Sequence, residues 1–270
     1  MGVIVFLVAA VIFAGLFAYR VISKRKREQA MATLAAKNGW TALANDAAAL
    51  NGYLPGYILG LGQQGYGFGD FTSSSESYDM AYQAIVGTNQ AVFFQYIYTE
   101  YHQSFNQDQQ ETSDTHTFTV INVAMPVSEP VIMLLHHSFI SKMANFGLHS
   151  GLQKLSLEGD FNQAYDTYIT PHDEVNALSL LTPDVMELVE ALAGNRANAS
   201  MQLRGQSLII SFERSLLIPE IIEPLLAQIS TLLAKLDTKP QVALQAQPPT
   251  IPQPQQPEQP TIITLTSSQV

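Results

Sequence analysis

The chain has 270 residues and no cysteine, which excludes disulfides, thiolate metal sites and cysteine nucleophiles. Its formal net charge of −10 hides a division: five of the 13 Lys and Arg stand between Arg20 and Arg27, ahead of all 23 Asp and Glu, so the remainder carries −15. An acidic body of that kind is repelled by phosphate backbones and has no electrostatic footprint for nucleic acid.

Residues 1–19 are uncharged, and Arg20 with the cluster Lys24, Arg25, Lys26 and Arg27 closes the run. At ~1.5 Å per residue, the roughly 20 residues from 3 to 22 span about 30 Å, which predicts a single transmembrane helix with a basic collar over residues 1–27. A cleaved signal peptide fits less well, because nothing before Arg20 is basic and no small-x-small site follows the apolar core. Basic flanks are retained in the cytoplasm, so the expectation is a single-pass protein of the cell membrane. Its amino terminus would lie outside, its globular domain in the cytoplasm, and the lipid bilayer would be its first partner. Ala10, Ala14 and Ala18 recur every four residues, a small-residue stripe that allows a weak homodimer contact.

Residues 28–39 read as a helical stalk, with Ala30, Leu34 and Ala35 on one side and Gly39 suited to a left-handed stop. Trp40, the single tryptophan, then opens a globular domain over residues 40–238 as an anchoring core side chain. Gly60, Gly62 and Gly65 spell G-x-G-x-x-G, but a polar loop follows where a dinucleotide fold needs a helix, so the pattern reads as a glycine-rich connection.

Residues 82–86 and 91–98 predict strands joined by a turn at 87–90, and the second strand is apolar on both faces, which makes it central. A polar stretch at 100–114 predicts a long hairpin loop. Residues 117–125 and 131–135 predict two more strands, with a turn between Pro126 and Pro130. Residues 138–157 give no clear pattern.

In the second half, 161–170 predicts a strand and 171–181 a turn and short helix. Thr182 stands as an N-cap with Pro183 at the first helical position, and Gly194 stands where a left-handed stop belongs. Between them Val185, Leu188, Val189 and Leu192 fall on one helical face. Gly205-Gln206 predicts a type II′ hairpin between strands at 200–204 and 207–212. A last helix reaches about Leu236, with a break expected at Pro224 and an apolar stripe of Leu225, Leu226, Ile229, Leu232, Leu233 and Leu236 beyond it. Residues 239–270 are dominated by Pro and Gln, which predicts a disordered tail. The fold class expected for the whole is α+β, an antiparallel sheet meander with packed helices behind an amino-terminal anchor.

The stretch from 158 to 236 resembles a bacterial family of unknown function. The residues that carry the likeness are Phe161 with Asn162, Tyr165, the Asp173-Glu174 to Ala177 turn, Leu180-Leu181-Thr182-Pro183 and the Gly205 hairpin. The resemblance implies bacterial origin and an amino-terminal membrane segment ahead of a cytoplasmic α+β domain. It brings no catalytic residue.

His136-His137 is the pair that invites a metal, yet neighbours at a strand end point to opposite faces and no H-E-x-x-H spacing accompanies them. The serines at 73–75 lack a partnered base, and Asp173 with Glu174 suits a helix amino end better than acid–base work. The sequence therefore assigns no catalytic, cofactor-binding or metal-binding residue and implies no cofactor. Two functional expectations follow. The first is a membrane-anchored interaction module that meets a protein partner through its acidic domain or Pro-rich tail. The alternative is a membrane-tethered, hydrolase-like enzyme, which would show a cleft joining His102, His116 or His137 to carboxylates.

Overall fold

A helix that begins in apolar sequence and ends at a glycine opens the structure, a computed structural model that describes residues 2–55, 71–102, 112–137, 151–157, 159–193 and 199–237. This helix, α1 (Gly2–Asn38), runs unbroken through the basic cluster and stops where Gly39 takes a φ of +68°. Past the glycine, the Trp40 N–H donates to the Ala35 carbonyl at 2.9 Å, the six-to-one bond of a Schellman stop. The indole then meets the Phe93 ring edge-on, with centroids 5.0 Å apart. Leu34 and Ala35 are buried as the stalk reading expects, but Ala30 is exposed and Met31 takes its place in the core. The segment is part of the domain's packing and not a stalk apart from it.

The membrane-crossing reading of residues 1–27 does not hold: among the described residues no helix is long and apolar enough to cross a membrane. The part of α1 whose side chains are described without a break, residues 17–38, carries Arg20, Lys24, Arg25, Lys26, Arg27, Glu28 and Lys37. Each such charge at bilayer depth costs about 2.5 kcal/mol or more. The basic collar is also engaged by the body, since Lys24 Nζ lies 3.0 Å and an Arg27 guanidinium nitrogen 3.8 Å from Asp79 Oδ2. The single-pass placement in a cell membrane, with an outside amino terminus and a cytoplasmic domain, rested on that crossing and falls with it.

The remaining elements follow in order. β1 (Thr41–Ala42) precedes α2 (Ala47–Leu50), which Asp46 caps by accepting the Ala49 N–H at 2.8 Å. Then come β2 (Phe71–Val86), β3 (Asn89–His102), β4 (Thr112–His136), β5 (Gln153–Leu155), α3 (Phe161–Ala164), β6 (Tyr165–Ile169), α4 (Glu174–Leu180), α5 (Pro183–Ala193), β7 (Ala199–Glu213) and α6 (Pro219–Asp237). Among the described residues the strands form one antiparallel sheet in the order β1-β2-β3-β4-β6-β5, with β7 on β4. The α+β expectation and the meander β2-β3-β4 are borne out.

Local rules and the fold part company at several places. The polar loop expected after the glycine-rich stretch is strand from Phe71 on, and the loop expected over 100–114 is strand up to His102 and again from Thr112. The turn expected over 87–90 is tighter, because Val86 already pairs with Asn89 and only Gly87, at φ +62°, and Thr88 lie between them. No turn separates Pro126 from Pro130: β4 is one strand of 25 residues. Proline has no N–H to give a ladder, so it is tolerated where the ladder is already broken, and the β4–β7 register shifts between Ala124, Glu129 and Ile132. Gly205 does hold a positive φ, +56°, but makes no hairpin: β7 runs straight through it, and Gly205 faces Glu129 at the same irregularity. The predicted strand at 161–170 begins as α3 and is a strand only from Tyr165.

Pro224 does not break the last helix either. Ile222, Leu225 and Leu226 are buried around it, as are Ile229, Leu232, Leu233 and Leu236. At about 1.5–3 kcal/mol for each buried side chain, that face outweighs the ~3 kcal/mol that an interior proline costs. In α5, Val185, Val189 and Leu192 are buried, whereas Leu188 is only partly so.

Two cores result, one on each sheet face. Phe93, Ile121, Ile210 and Phe212 face buried residues of α1, α4, α5 and α6, while Phe94, Tyr96, Tyr98 and Phe118 lie on the other side with Leu50 and Leu54. This is what the two-faced apolar pattern of β3 predicts. The glycine-rich stretch with Gly60, Gly62 and Gly65, the residues 138–150, Gly194 and the Pro/Gln-rich tail at 239–270 lie outside the described residues.

Because left-handed backbone costs a residue with a Cβ about 1–2 kcal/mol, Gly205→Ala should destabilise the protein by that amount. The check is the denaturant midpoint at unchanged m-value, and an unmoved midpoint would contradict the geometry.

Candidate functional site

Among the described residues, three groups of polar side chains and one groove stand out as candidates for chemistry or recognition. The first group lies at the β4–β7 end of the sheet. His116 Nδ1 stands 3.8 Å from Glu213 Oε1, and Arg214 Nε stands 3.9 Å from the same oxygen. Glu213 is a buried carboxylate, 5% exposed. The His116 ring stacks on Tyr98 with centroids 6.3 Å apart. A separation of 3.8 Å is an ion-pair distance and longer than a hydrogen bond that could pass a proton. In the same buried cluster the Tyr96 ring meets those of Phe118 and Tyr78, and burial pushes the Tyr78 phenol up to about 12. Tyr78 donates to Asn51 Oδ1.

The second group sits where β4, β5 and β6 end. Asp166 receives Lys154 Nζ at 2.5 Å and lies 3.5 Å from His137 Nε2. The Lys154 ammonium is held above its ordinary range, chiefly by that hydrogen bond to Asp166. His136 turns the other way, edge-on to Tyr165 at 5.3 Å. Tyr165 and Asp166 are successive residues of one strand, so the two histidines do point to opposite faces and do not converge on one point. Among the described residues no group of three or more His, Asp or Glu could hold a metal ion.

The third group is the collar contact of Lys24 and Arg27 with Asp79. It lies at a β-bulge where Met80 takes a φ of +50°. Lys24 is raised chiefly by its hydrogen bond to Asp79, against an opposing effect of burial.

The groove lies between the end of α1, the β2–β3 turn and α6. It is open, holds a volume of about 400 Å³, and is walled by Asn38, Trp40, Ile85, Glu223, Leu226 and Ala227. Trp40 is half-buried and Ile85 is 68% exposed, so the groove presents one aromatic and one aliphatic side chain. Glu223 Oε1 accepts from Asn38 Nδ2 at 3.2 Å and lies 3.6 Å from Lys37 Nζ. A Cβ on Gly87 would come 3.3 Å from Ser230 Oγ, so the glycine of the turn is what lets the hairpin approach α6 this closely.

Of the residues singled out in sequence, the structure brings His116 and His137 to carboxylates but leaves both outside the groove. Asp173 caps α4 through its carbonyl, 2.9 Å from the Ala177 N–H, and Glu174 stands in the first turn. Ser75 contacts the Tyr101 hydroxyl at 3.4 Å. Ala14 and Ala18 are exposed on α1, while the Ala10 side chain lies outside what is described. Ile85, Glu223 and Ala227 were not singled out. The signal that points to Ile85 is its place beside Gln83 on the outward side of the alternation Tyr82, Ala84, Val86.

Burial, with the charge of His137 as a lesser cause, lowers the His136 pKa from 6.5. The unfolded chain therefore binds a proton more readily than the folded one, and the stability that neutral His136 contributes is present above pH 6.5 and lost as the pH falls through and below it. His136→Gln should flatten the fall in melting temperature as the pH drops below 6.5. An unchanged pH profile in the variant would remove His136 as the cause.

No family model matches the chain, and no curated protein matches it. Among solved structures, the crystal structure of the mycobacterial trehalose monomycolate transport factor A, TtfA, is similar at a TM-score of 0.49 and 13% identity, covering 80% of this chain and 99% of that one. A likeness at that level assigns neither a family nor an activity to this chain.

Proposed function

We propose that this chain is a protein-interaction module whose contact face is the groove beside Trp40. The observation that supports the reading is the exposure of Ile85, at 68%, against a half-buried tryptophan in an open cleft. Aromatic side chains at such places supply large contact area at small entropic cost and are enriched where proteins meet. The groove offers little to a hydrolase. Its walls carry one carboxylate, Glu223, and one hydroxyl, Ser230, with no histidine among them. Nucleophilic hydrolysis needs a base within hydrogen-bond reach of the hydroxyl, oriented by a third group. Half-buried His116, with Glu213 beside it, stacks on Tyr98 of the aromatic packing on the other sheet face.

A photo-crosslinking residue placed at Ile85 in the full chain, in the cells that make it, tests the reading. Val175 is the control, being 80% exposed and outside the groove. Discrete protein adducts from position 85 that are missing from position 175 are expected. No adduct from 85, or the same adducts from both positions, would overturn it.

A further inference from the structure

From the chemistry of the groove we infer its partner: a peptide segment that carries one apolar side chain flanked by lysine or arginine. The inference rests on the interaction reading above and adds the identity of the occupant. The walls of the groove are partly apolar. Trp40, Ile85, Leu226 and Ala227 all line the groove; Ile85 is 68% exposed, and the small side chain of exposed Ala227 leaves room that a larger residue would fill. About 400 Å³ accommodates one or two side chains and not a folded domain.

The charged half lies on α6. Glu223 lines the groove, and Glu220, exposed like it, stands three residues earlier on the same side of the helix. The Glu223 side chain is 45% exposed, and its two contacts to Asn38 and Lys37 both use Oε1. A carboxylate accepts at both oxygens, so Glu223 can take a further cation through the second one. The surrounding body is acidic, with eight Lys and Arg against 23 Asp and Glu after Arg27. That field draws a basic segment in and repels an acidic one.

The chain provides its own reporter, since Trp40 is its single tryptophan and lines the groove. The test titrates full-length protein with three blocked pentapeptides, Gly-Lys-Leu-Lys-Gly, Gly-Glu-Leu-Glu-Gly and Gly-Lys-Ser-Lys-Gly, and follows tryptophan emission. Gly-Lys-Leu-Lys-Gly should shift the emission saturably, and the other two should not. Raising the salt to about 1 M should weaken the response, because the screening length falls to about 3 Å.

Glu223→Gln keeps an acceptor for Asn38 and should weaken binding roughly five-fold, the worth of one partly exposed charge pair. Ala227→Arg places a good helix former at an exposed site, fills the groove and sets a cation four residues from Glu223, so it should abolish the response at an unchanged melting temperature. Equal responses to the lysine and glutamate peptides, a response that survives Ala227→Arg, or no response at all would overturn the assignment. Crosslinks from position 85 without a response to Gly-Lys-Leu-Lys-Gly would overturn the partner chemistry alone; loss of both removes the groove as a contact face.

Discussion

The fold depends on the length of β4. A strand of 25 residues is several times the usual five or six, and it serves as a common edge for three others. β7 pairs with it from Phe118 to Leu134, β3 up to Val123 and β6 from Ile132. Because β7 overlaps both β3 and β6 along β4, the latter two must share the opposite edge, one behind the other. The irregular stretch between Ala124 and Ile132 is where the strand passes from one neighbour to the next. Pro126 and Pro130 sit there and Gly205 lies across from it, so residues that damage an ordinary ladder are gathered where no ladder is needed.

A small set of polar contacts holds the connector after β7 against the end of the sheet. Gln95 Nε2 and Thr119 Oγ1 both donate to the Ser215 carbonyl, at 3.3 and 3.0 Å, and the Arg214 N–H donates to the Thr117 carbonyl at 2.7 Å. Gln95 and Thr119 are fully buried, and a buried donor without an acceptor costs about 1–3 kcal/mol, so the connector after β7 is held where it can satisfy them. That position sets the start of α6. The apolar stripe of α6 then settles on the core, which leaves Glu223 and Ala227 outward beside the end of α1. The groove is thus a by-product of where three elements terminate, and it is held by the packing under it.

Much of this is written in local sequence. The six leucine and isoleucine positions of α6 beyond Pro224 repeat with helical period and are all buried, and the strand through Phe93 and Phe94 is apolar on both faces because both faces are covered. The Thr182-Pro183 start of α5 follows from capping chemistry alone. The errors have a common origin. A left-handed glycine looks the same whether it closes a hairpin or relieves a bulge, and only the partner strand, 76 residues earlier at Glu129, decides for Gly205. Prolines that argue for a turn are equally at home in a long strand with a broken ladder. The apolar run before Arg20 suggests a crossing when its window stops there, whereas the helix continues to Asn38 with its charged second half packed on the body. The groove was not legible at all, since Ile85, Glu223 and Ala227 come together only through the close approach of Gly87 to Ser230.

The two carboxylates that stand out, Glu213 and Glu223, differ in what they can do for recognition. Glu213 is already desolvated and stands near both His116 and Arg214, so its charge is committed to the fold and is screened from anything outside. Glu223 remains in water, and an exposed pair is weak by itself, worth up to about 1 kcal/mol. Its value lies in position, because the same carboxylate borders a patch where an apolar side chain can leave water at about 25 cal/mol per Å². Neither contribution alone makes a stable complex. On the proposed reading, together they favour a ligand that carries both features at the spacing of neighbouring residues over one with the apolar group or the charge alone.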